Sequence, residues 1–293
     1  MIVKLDLPRG MRDVQYEELR NISFIRDKFV ETAEIFDFNQ IEPSTLELLS
    51  TLEAKSGPSI IQDTYSFTDK GGRDIALRFD LTIGLSRFVS LRRDLKLPAK
   101  LSSFGGVWRY DEPQLGRYRY FHQWDVEIFG SPDVDADAEV IDFVSSFLSK
   151  LNIDLVILIN HRSILEEYLS KYLGITDNSV ISEMMRAIDK LSKKSSEQII
   201  NEYAGKLDSI KLQEFIKFVS VTDRPDKIFD NDTLMEFKSS GNLRELIDSL
   251  KSRRVKNMMV DFRIVRGLDY YSGLVFEAKE LSSQVGSLVG GGR

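Results

Sequence analysis

The chain has 293 residues, 42% of them hydrophobic and 29% charged, a net charge of −6, no cysteine and only two histidines, His122 and His161. That is enough apolar material for one large core or two smaller ones; with no cysteine, disulfides and a Cys/His zinc centre are excluded, and any metal is expected to be a hard cation on oxygen, such as Mg²⁺ carried by phosphates. No apolar run approaches the roughly 18 residues of a membrane span, residues 1–8 lack an apolar signal core, and the acidic balance argues against nucleic-acid binding driven by overall charge, so a cytoplasmic protein is expected.

In chain order, Leu7-Pro8-Arg9-Gly10-Met11-Arg12-Asp13 reads as a loop, with Asp13 placed to cap a helix. Leu19, Ile22, Phe29, Ala33 and Phe36 then recur at three- and four-residue steps, the spacing of an amphipathic helix. Phe38-Asn39-Gln40-Ile41-Glu42-Pro43 reads as a strand closed by a proline, which belongs at a sheet edge or an interface. Tyr65, Phe67, Ile75, Leu77 and Phe79 around Lys70-Gly71-Gly72-Arg73 predict a hairpin. It delivers Arg78-Phe79-Asp80-Leu81-Thr82 to a helix through Leu85, Phe88 and Val89. Taken alone, Asp80 and Thr82 are residue types of capping positions.

Residues 107–130 read as strand, loop, strand. From Arg117 onward, alternation places Arg117, Arg119, Phe121, Gln123, Asp125 and Glu127 on one face and Tyr118, Tyr120, His122, Trp124, Val126 and Ile128 on the other. The bulky face suits burial; the charged face is a poor core and a good site. Guanidinium forks hydrogen-bond phosphate or carboxylate oxygens in pairs, and a neighbouring Phe offers a stacking surface, so the arginine end suits an anion joined to a flat ring. The Gln123 and Glu127 end suits a polar, partly cationic group. A solvated edge hairpin with incidental charges is the plainer alternative at this point.

A helix over about 135–151 leads into the β-rich run Leu155-Val156-Ile157-Leu158-Ile159. Over about 162–255 helical periodicity dominates, punctuated by Gly205, Pro225 and Gly241. Fifteen basic and fourteen acidic residues between Ile175 and Lys256 leave this block electrically balanced. Strand signals resume at Met259-Val260-Asp261-Phe262-Arg263-Ile264-Val265, so the block reads as a helical insertion. A polar turn, Arg266-Gly267-Leu268-Asp269-Tyr270-Tyr271-Ser272-Gly273, precedes the strand Leu274-Val275-Phe276-Glu277-Ala278. The glycines of Gly290-Gly291-Gly292-Arg293 allow a close backbone approach, a turn or a flexible tail.

Three ordered stretches resemble the histidyl-tRNA synthetase family. Residues 108–123, Trp-Arg-Tyr-Asp-Glu-Pro-Gln-Leu-Gly-Arg-Tyr-Arg-Tyr-Phe-His-Gln, resemble class II synthetase motif 2 in its histidyl form. Arg266-Gly267-Leu268-Asp269-Tyr270-Tyr271 resembles the RGLDYY signature, and Gly290-Gly291-Gly292-Arg293 the start of the signature that follows it. The stretches at 7–13 and 77–82 also fit. The resemblance implies an α+β fold, a class II antiparallel sheet flanked by helices with a helical insertion, organised as 1–161 (motifs 1 and 2), 162–255 (insertion) and 256–293 (second catalytic part). Pro43 occupies the place of the motif 1 proline, which implies a homodimer interface.

The activity implied is activation of histidine by ATP to histidyl adenylate, followed by transfer to tRNA(His), with Mg²⁺ arriving on ATP and no zinc. By resemblance, Arg109 and Arg266 grip the α-phosphate and the substrate carboxylate, Arg117 the outer phosphates, and Phe121 stacks on adenine. Asp80, Thr82 and Gln123 surround the amino and carboxyl end of histidine, and Glu127 with Tyr270 and Tyr271 belongs to the histidine pocket. The family continues past GGGR into Tyr-Asp, motif 3 with its ATP-binding arginine and an anticodon-binding domain, so the chain is expected to be a fragment of a longer enzyme. The alternative is a non-catalytic paralogue: a histidine-sensing regulatory subunit of ATP phosphoribosyltransferase, or a pseudo-synthetase that binds tRNA. Such relatives tend to lose the phosphate-gripping arginines, and Arg109, Arg117 and Arg266 are all present here.

Overall fold

Three- and four-residue apolar spacing produces the first long helix, α1 (Tyr16–Ile35), in a computed structural model that describes residues 5–112, 118–230, 232–265, 271–282 and 286–293. The helix buries Phe29, Thr32 and Ala33, and Glu17 and Glu18 suit the positive end of its first turn. Asp13 does not cap it. The cap position is Gln15, without a side-chain bond, and a carboxylate two residues earlier is too far back to reach the free amides.

The chain divides into two compact units, Met1–Ser131 and Pro132–Arg293. In the first, α1 is followed by β1 (Asn39–Gln40), β2 (Leu46–Leu48), α2 (Leu49–Ser56), β3 (Ser66–Thr68), β4 (Asp74–Leu77), α3 (Thr82–Leu91), β5 (Ala99–Trp108) and β6 (Tyr120–Phe129). The strand expected over 38–43 is shorter, two residues paired parallel to β5. Pro43 ends it: the proline is buried, its carbonyl accepts from Arg78 Nη1 at 2.6 Å, and a Cβ on Gly84 would lie 2.4 Å from its Cβ. The predicted hairpin is β3 and β4, turning at Gly72 with a φ of +76°, a conformation that favours glycine. Strand order β2-β4-β3 makes a small sheet over a core of Leu52, Ile60, Ala76 and Ile83, with Phe79 packed against it.

Strands β5 and β6 pair antiparallel along their whole length, from Ala99 opposite Phe129 to Trp108 opposite Tyr120. The second strand therefore begins at Tyr120, later than the alternation suggested. Its even face packs as expected, though every residue of β6 is only half-buried. Trp124 lies against Phe29, His122 against Phe104, and Tyr120 between Trp108 and His122. A Cβ on Gly106 would meet the Tyr120 ring at 2.4 Å, so the glycine lets that ring lie across the strand.

The second unit contains α4 (Val134–Lys150), β7 (Leu155–His161), α5 (Arg162–Lys171), α6 (Asn178–Asp189), α7 (Ser196–Glu202), α8 (Ser209–Val219), β8 (Thr222–Asp223), α9 (Pro225–Ile228), α10 (Asp232–Met235), α11 (Ser239–Ser252), β9 (Met258–Asp261), β10 (Leu274–Glu280) and β11 (Val289–Gly292). Its sheet runs β11-β10-β7-β9-β8, antiparallel except where β7 and β9 run parallel. The apolar run predicted at 155–159 becomes β7 in the interior of that sheet. Its core includes Phe143, Phe147, Ile157, Ile159, Ile164, Phe215 and Phe262.

Among the described residues of 162–255, helices joined by short turns dominate, with a two-residue strand, β8, that the periodicity did not show. Gly205 and Pro225 punctuate as read, but Gly241 lies inside α11. The strand predicted over 259–265 ends at Asp261, whose carboxylate turns back onto the Arg263 amide at 3.0 Å and its guanidinium. Buried Asn160 on β7 then holds the departing chain by donating to the Ile264 carbonyl at 2.7 Å. The fold is thus α+β, with mainly antiparallel sheets flanked by helices.

Candidate active site

In the first unit Arg109 follows the end of β5, Phe121, Gln123 and Glu127 lie along β6, and Asp80 and Thr82 stand at the start of α3. Arg109 follows β5 directly, and its amide continues the ladder by donating to the Arg119 carbonyl at 2.9 Å. Its guanidinium lies between two rings, 4.6 Å from the centroid of Phe79 and 5.1 Å from that of Phe121. Nε donates to the Phe79 carbonyl at 3.2 Å and Nη2 to Gln123 Oε1 at 3.0 Å. The cation is thereby aimed along the charged face of β6.

From Gln123 the contacts continue down the strand. Its Nε2 donates to Asp125 Oδ1 at 3.0 Å, and Thr82 Oγ1, at the start of α3, donates to Asp125 Oδ2 at 2.8 Å. Asp80, one residue before the cap position at Leu81, accepts from the first-turn amide of Ile83 at 2.9 Å, and Thr82 is the first residue of the helix proper. Burial pushes the Asp125 carboxyl up to about 6, with Asp80 adding to the rise while Thr82, Gln123 and Lys55 oppose it. Glu127 is pushed up to about 7 by burial first and then by Asp125 and Asp80, against Thr82 and Lys55. Three carboxylates close enough to repel one another, beside a hydroxyl and an amide, make a receptor for a compact cation such as an ammonium group.

Arg119 corrects the sequence reading. Periodicity put it beside Arg117 as an anion-binding group, but its side chain is buried, with Nε on the Asp111 carbonyl at 3.0 Å and Nη1 on the Arg9 carbonyl at 3.1 Å. Its guanidinium also lies 3.9 Å from the Tyr110 ring centroid. Backbone carbonyls and a ring hold it as a structural pin. Arg78 is a second such pin: only 4% exposed, it donates to the carbonyls of Gly106 and Pro43 and approaches Glu42 at 3.5 Å. Asp125 is the site residue to which the motifs assign no role. The signal for it was present in the alternation that it shares with Gln123 and Glu127.

In the second unit, Tyr271 packs against the cluster of Leu158, Ile264 and Val275. Its carbonyl accepts from Arg162 Nη1 at 3.0 Å, and a Cβ on Gly292 would meet its ring at 2.9 Å. The consecutive glycines are therefore a close approach: β11 pairs with β10, and a Cβ on Gly291 would lie 2.6 Å from the Phe276 ring. Arg293 turns its Nε onto the Asp137 carboxylate at 2.9 Å. Arg117, Arg266 and Tyr270 lie outside the described residues. Among the described residues, no group of three or more His, Asp or Glu side chains is placed to hold a metal ion, and no helix is long and apolar enough to cross a membrane.

A family profile for histidyl-tRNA synthetase matches residues 10–293. The chain is 34% identical to the histidine–tRNA ligase of Thermoplasma volcanium over 301 residues, covering 99% of this chain and 68% of that protein. It is 35% identical to the histidine–tRNA ligase of Pyrococcus furiosus, covering 97% of this chain and 67% of that protein. The crystal structure of histidyl-tRNA synthetase from Nostoc sp. PCC 7120 superposes with a TM-score of 0.86 at 25% identity, covering 99% of this chain and 69% of that chain. The chain belongs to the histidyl-tRNA synthetase family, the histidine–tRNA ligases among the aminoacyl-tRNA synthetases.

Proposed function

We propose that the charged face of β6 binds histidine and the α-phosphate end of ATP for adenylate formation. The supporting observation is the continuous set of hydrogen bonds from Arg109 through Gln123 and Asp125 to Thr82, with Glu127 beside it. Arg109 supplies a fixed cation where the histidine carboxylate meets the α-phosphate. The carboxylate oxygen attacks phosphorus, the bond to the β-phosphate breaks, and pyrophosphate leaves. Negative charge grows on the α-phosphoryl oxygens in that step, so a preoriented guanidinium stabilises the transition state. A terminal ribose hydroxyl of tRNA(His) then attacks the adenylate carbonyl and AMP departs.

In this reading Asp80, Thr82 and Gln123 surround the amino and carboxyl end of histidine, Glu127 with Tyr271 faces the imidazole, Tyr270 also belongs to the histidine pocket, and Phe121 stacks on adenine. Arg117 and Arg266 act on the phosphates, with Mg²⁺ carried in on ATP. Histidine selection then follows from polar groups that an analogue lacking the imidazole leaves unsatisfied, which discriminates by roughly 10⁴ to 10⁵. The protein works in the cytoplasm as a homodimer, and residues 162–255 form an inserted helical domain.

The test is histidine-dependent exchange of pyrophosphate into ATP. Arg266→Ala is expected to lower exchange by about 10² to 10³, as removing one charge-stabilising group does, while histidine binding measured by calorimetry changes much less. Exchange near the unmutated rate overturns the Arg266 assignment. Exchange only in a C-terminally extended form identifies a fragment, and exchange in neither form favours a non-catalytic paralogue.

A further inference from the structure

We propose that Asp125 is a positioning residue for the histidine subsite, fixing which way Thr82 and Gln123 present their hydrogen-bonding groups to the substrate. The inference rests on the assignment of Thr82 and Gln123 to the amino and carboxyl end of histidine.

Every link in the network has a defined sense. A guanidinium can only donate, and an ionised carboxylate can only accept. Gln123 lies between one of each: its Oε1 accepts from Arg109 at 3.0 Å and its Nε2 donates to Asp125 at 3.0 Å. Its amide therefore cannot turn over without facing donor to donor and acceptor to acceptor. One amide hydrogen remains, and it suits an oxygen of the substrate carboxylate. Thr82 has a single hydroxyl hydrogen, which goes to Asp125 Oδ2 at 2.8 Å. The Thr82 oxygen then offers only lone pairs, which suits an ammonium group that has only hydrogens to give.

Both Asp125 oxygens are engaged by protein donors, so its action on the substrate passes through its neighbours. A purely structural role does not call for a charge here. Asp125 stands among like charges, Asp80 and Glu127, with Lys55 as the opposing charge that reaches it and Arg109 two hydrogen bonds away. Burial and Asp80 both disfavour its ionised form, and a neutral pair would satisfy Thr82 at lower cost. A carboxylate kept under those conditions holds two donors in place that a neutral group, with one acceptor oxygen and one amide nitrogen, could not both receive.

The experiment is steady-state pyrophosphate exchange on the full chain carrying Asp125→Asn, with thermal unfolding as a second readout. The expected result is a histidine KM at least tenfold higher, an ATP KM within twofold of the unmutated value, and an unfolding temperature no lower. Asp125→Ser, smaller and uncharged, carries the same expectation if the asparagine variant does not fold. An unchanged histidine KM overturns the proposal, as does a parallel rise in both KM values with a lower unfolding temperature. Failure of both variants to fold also overturns it, by making Asp125 a folding residue. Absence of histidine-dependent exchange both in the unmutated chain and in a C-terminally extended form instead overturns the substrate assignment beneath it, and exchange in the extended form alone moves the same comparison of variants to that form.

Discussion

Glu127 holds a carboxylate where its ionised form is least comfortable. Burial and the neighbouring Asp125 raise it from 4.5 to about 7, so the stability it contributes to the free protein is complete below about 4.5 and is lost as pH rises through about 7. Glu127→Gln keeps the shape and removes the charge. At pH 8 the variant is expected to unfold at a higher temperature than the unmutated chain, by the equivalent of about 1–3 kcal/mol, since each tenfold change in proton affinity is worth about 1.4 kcal/mol. At pH 4.5 the two should unfold together. Histidine affinity should fall in the same variant, because the proposed partner of the imidazole loses its charge. Thermal unfolding at the two pH values with and without histidine checks both halves. A variant no more stable at pH 8 would show that the raised carboxyl carries no folding cost. The opposition of stability and binding at one residue is what a binding site predicts and a structural carboxylate does not.

At the scale of elements, glycines decide how closely strands and rings approach. On β11 a Cβ at Gly292 would lie 2.5 Å from the Leu274 backbone oxygen, an atom that no side-chain rotation can move away. Gly292→Ala is therefore expected to displace β11 from β10 and lower stability by about 1–3 kcal/mol. Gly273 is the control, since a Cβ there would meet only the Arg293 side chain at 3.7 Å or beyond, an ordinary contact. Gly273→Ala should stay within about 0.5 kcal/mol. Urea unfolding of the two variants measures both, and amide exchange along β11 shows where the loss is local. The run of glycines was legible in the sequence, but whether it formed a tail, a turn or a close approach was not. The answer depends on Phe276 and Leu274 being brought opposite it by strand pairing.

At the scale of the whole molecule, the first unit leaves apolar groups exposed on its long helix α1 and on the strand β2 that follows Pro43. Phe24 on α1 is 53% exposed and Leu48 on the sheet-edge strand β2 is 49% exposed, with Tyr16, Ile35 and Leu46 exposed on the same two elements. An apolar edge strand left open invites pairing with another chain, which is the ground for testing the proposed homodimer here. Phe24→Glu combined with Leu48→Glu is expected to weaken self-association at least tenfold in sedimentation equilibrium. Because both side chains are already exposed, the unfolding temperature at a concentration where the protein is monomeric should change little. A variant that associates as tightly as the unmutated chain would place the interface elsewhere.

By itself the sequence determined the main elements, through periodicity: α1, the β3–β4 hairpin, the β5–β6 pair, α4, β7 and the helical run over 162–255 each follow from local spacing. Its motifs were specific enough to identify the family, because three such signatures in the right order arise rarely by chance. The alternation of β6 also put Gln123, Asp125 and Glu127 on one face, as a strand's two-residue period must. Tertiary structure alone decided what each charge on that face meets. Arg119 became a pin because the carbonyl of Arg9, far away in the chain, joins that of nearby Asp111 around its guanidinium, and Asp125 became the centre of the network because α3 delivers Thr82 to it. Periodicity tells which way a side chain points; burial and partners from elsewhere in the chain decide what it does there.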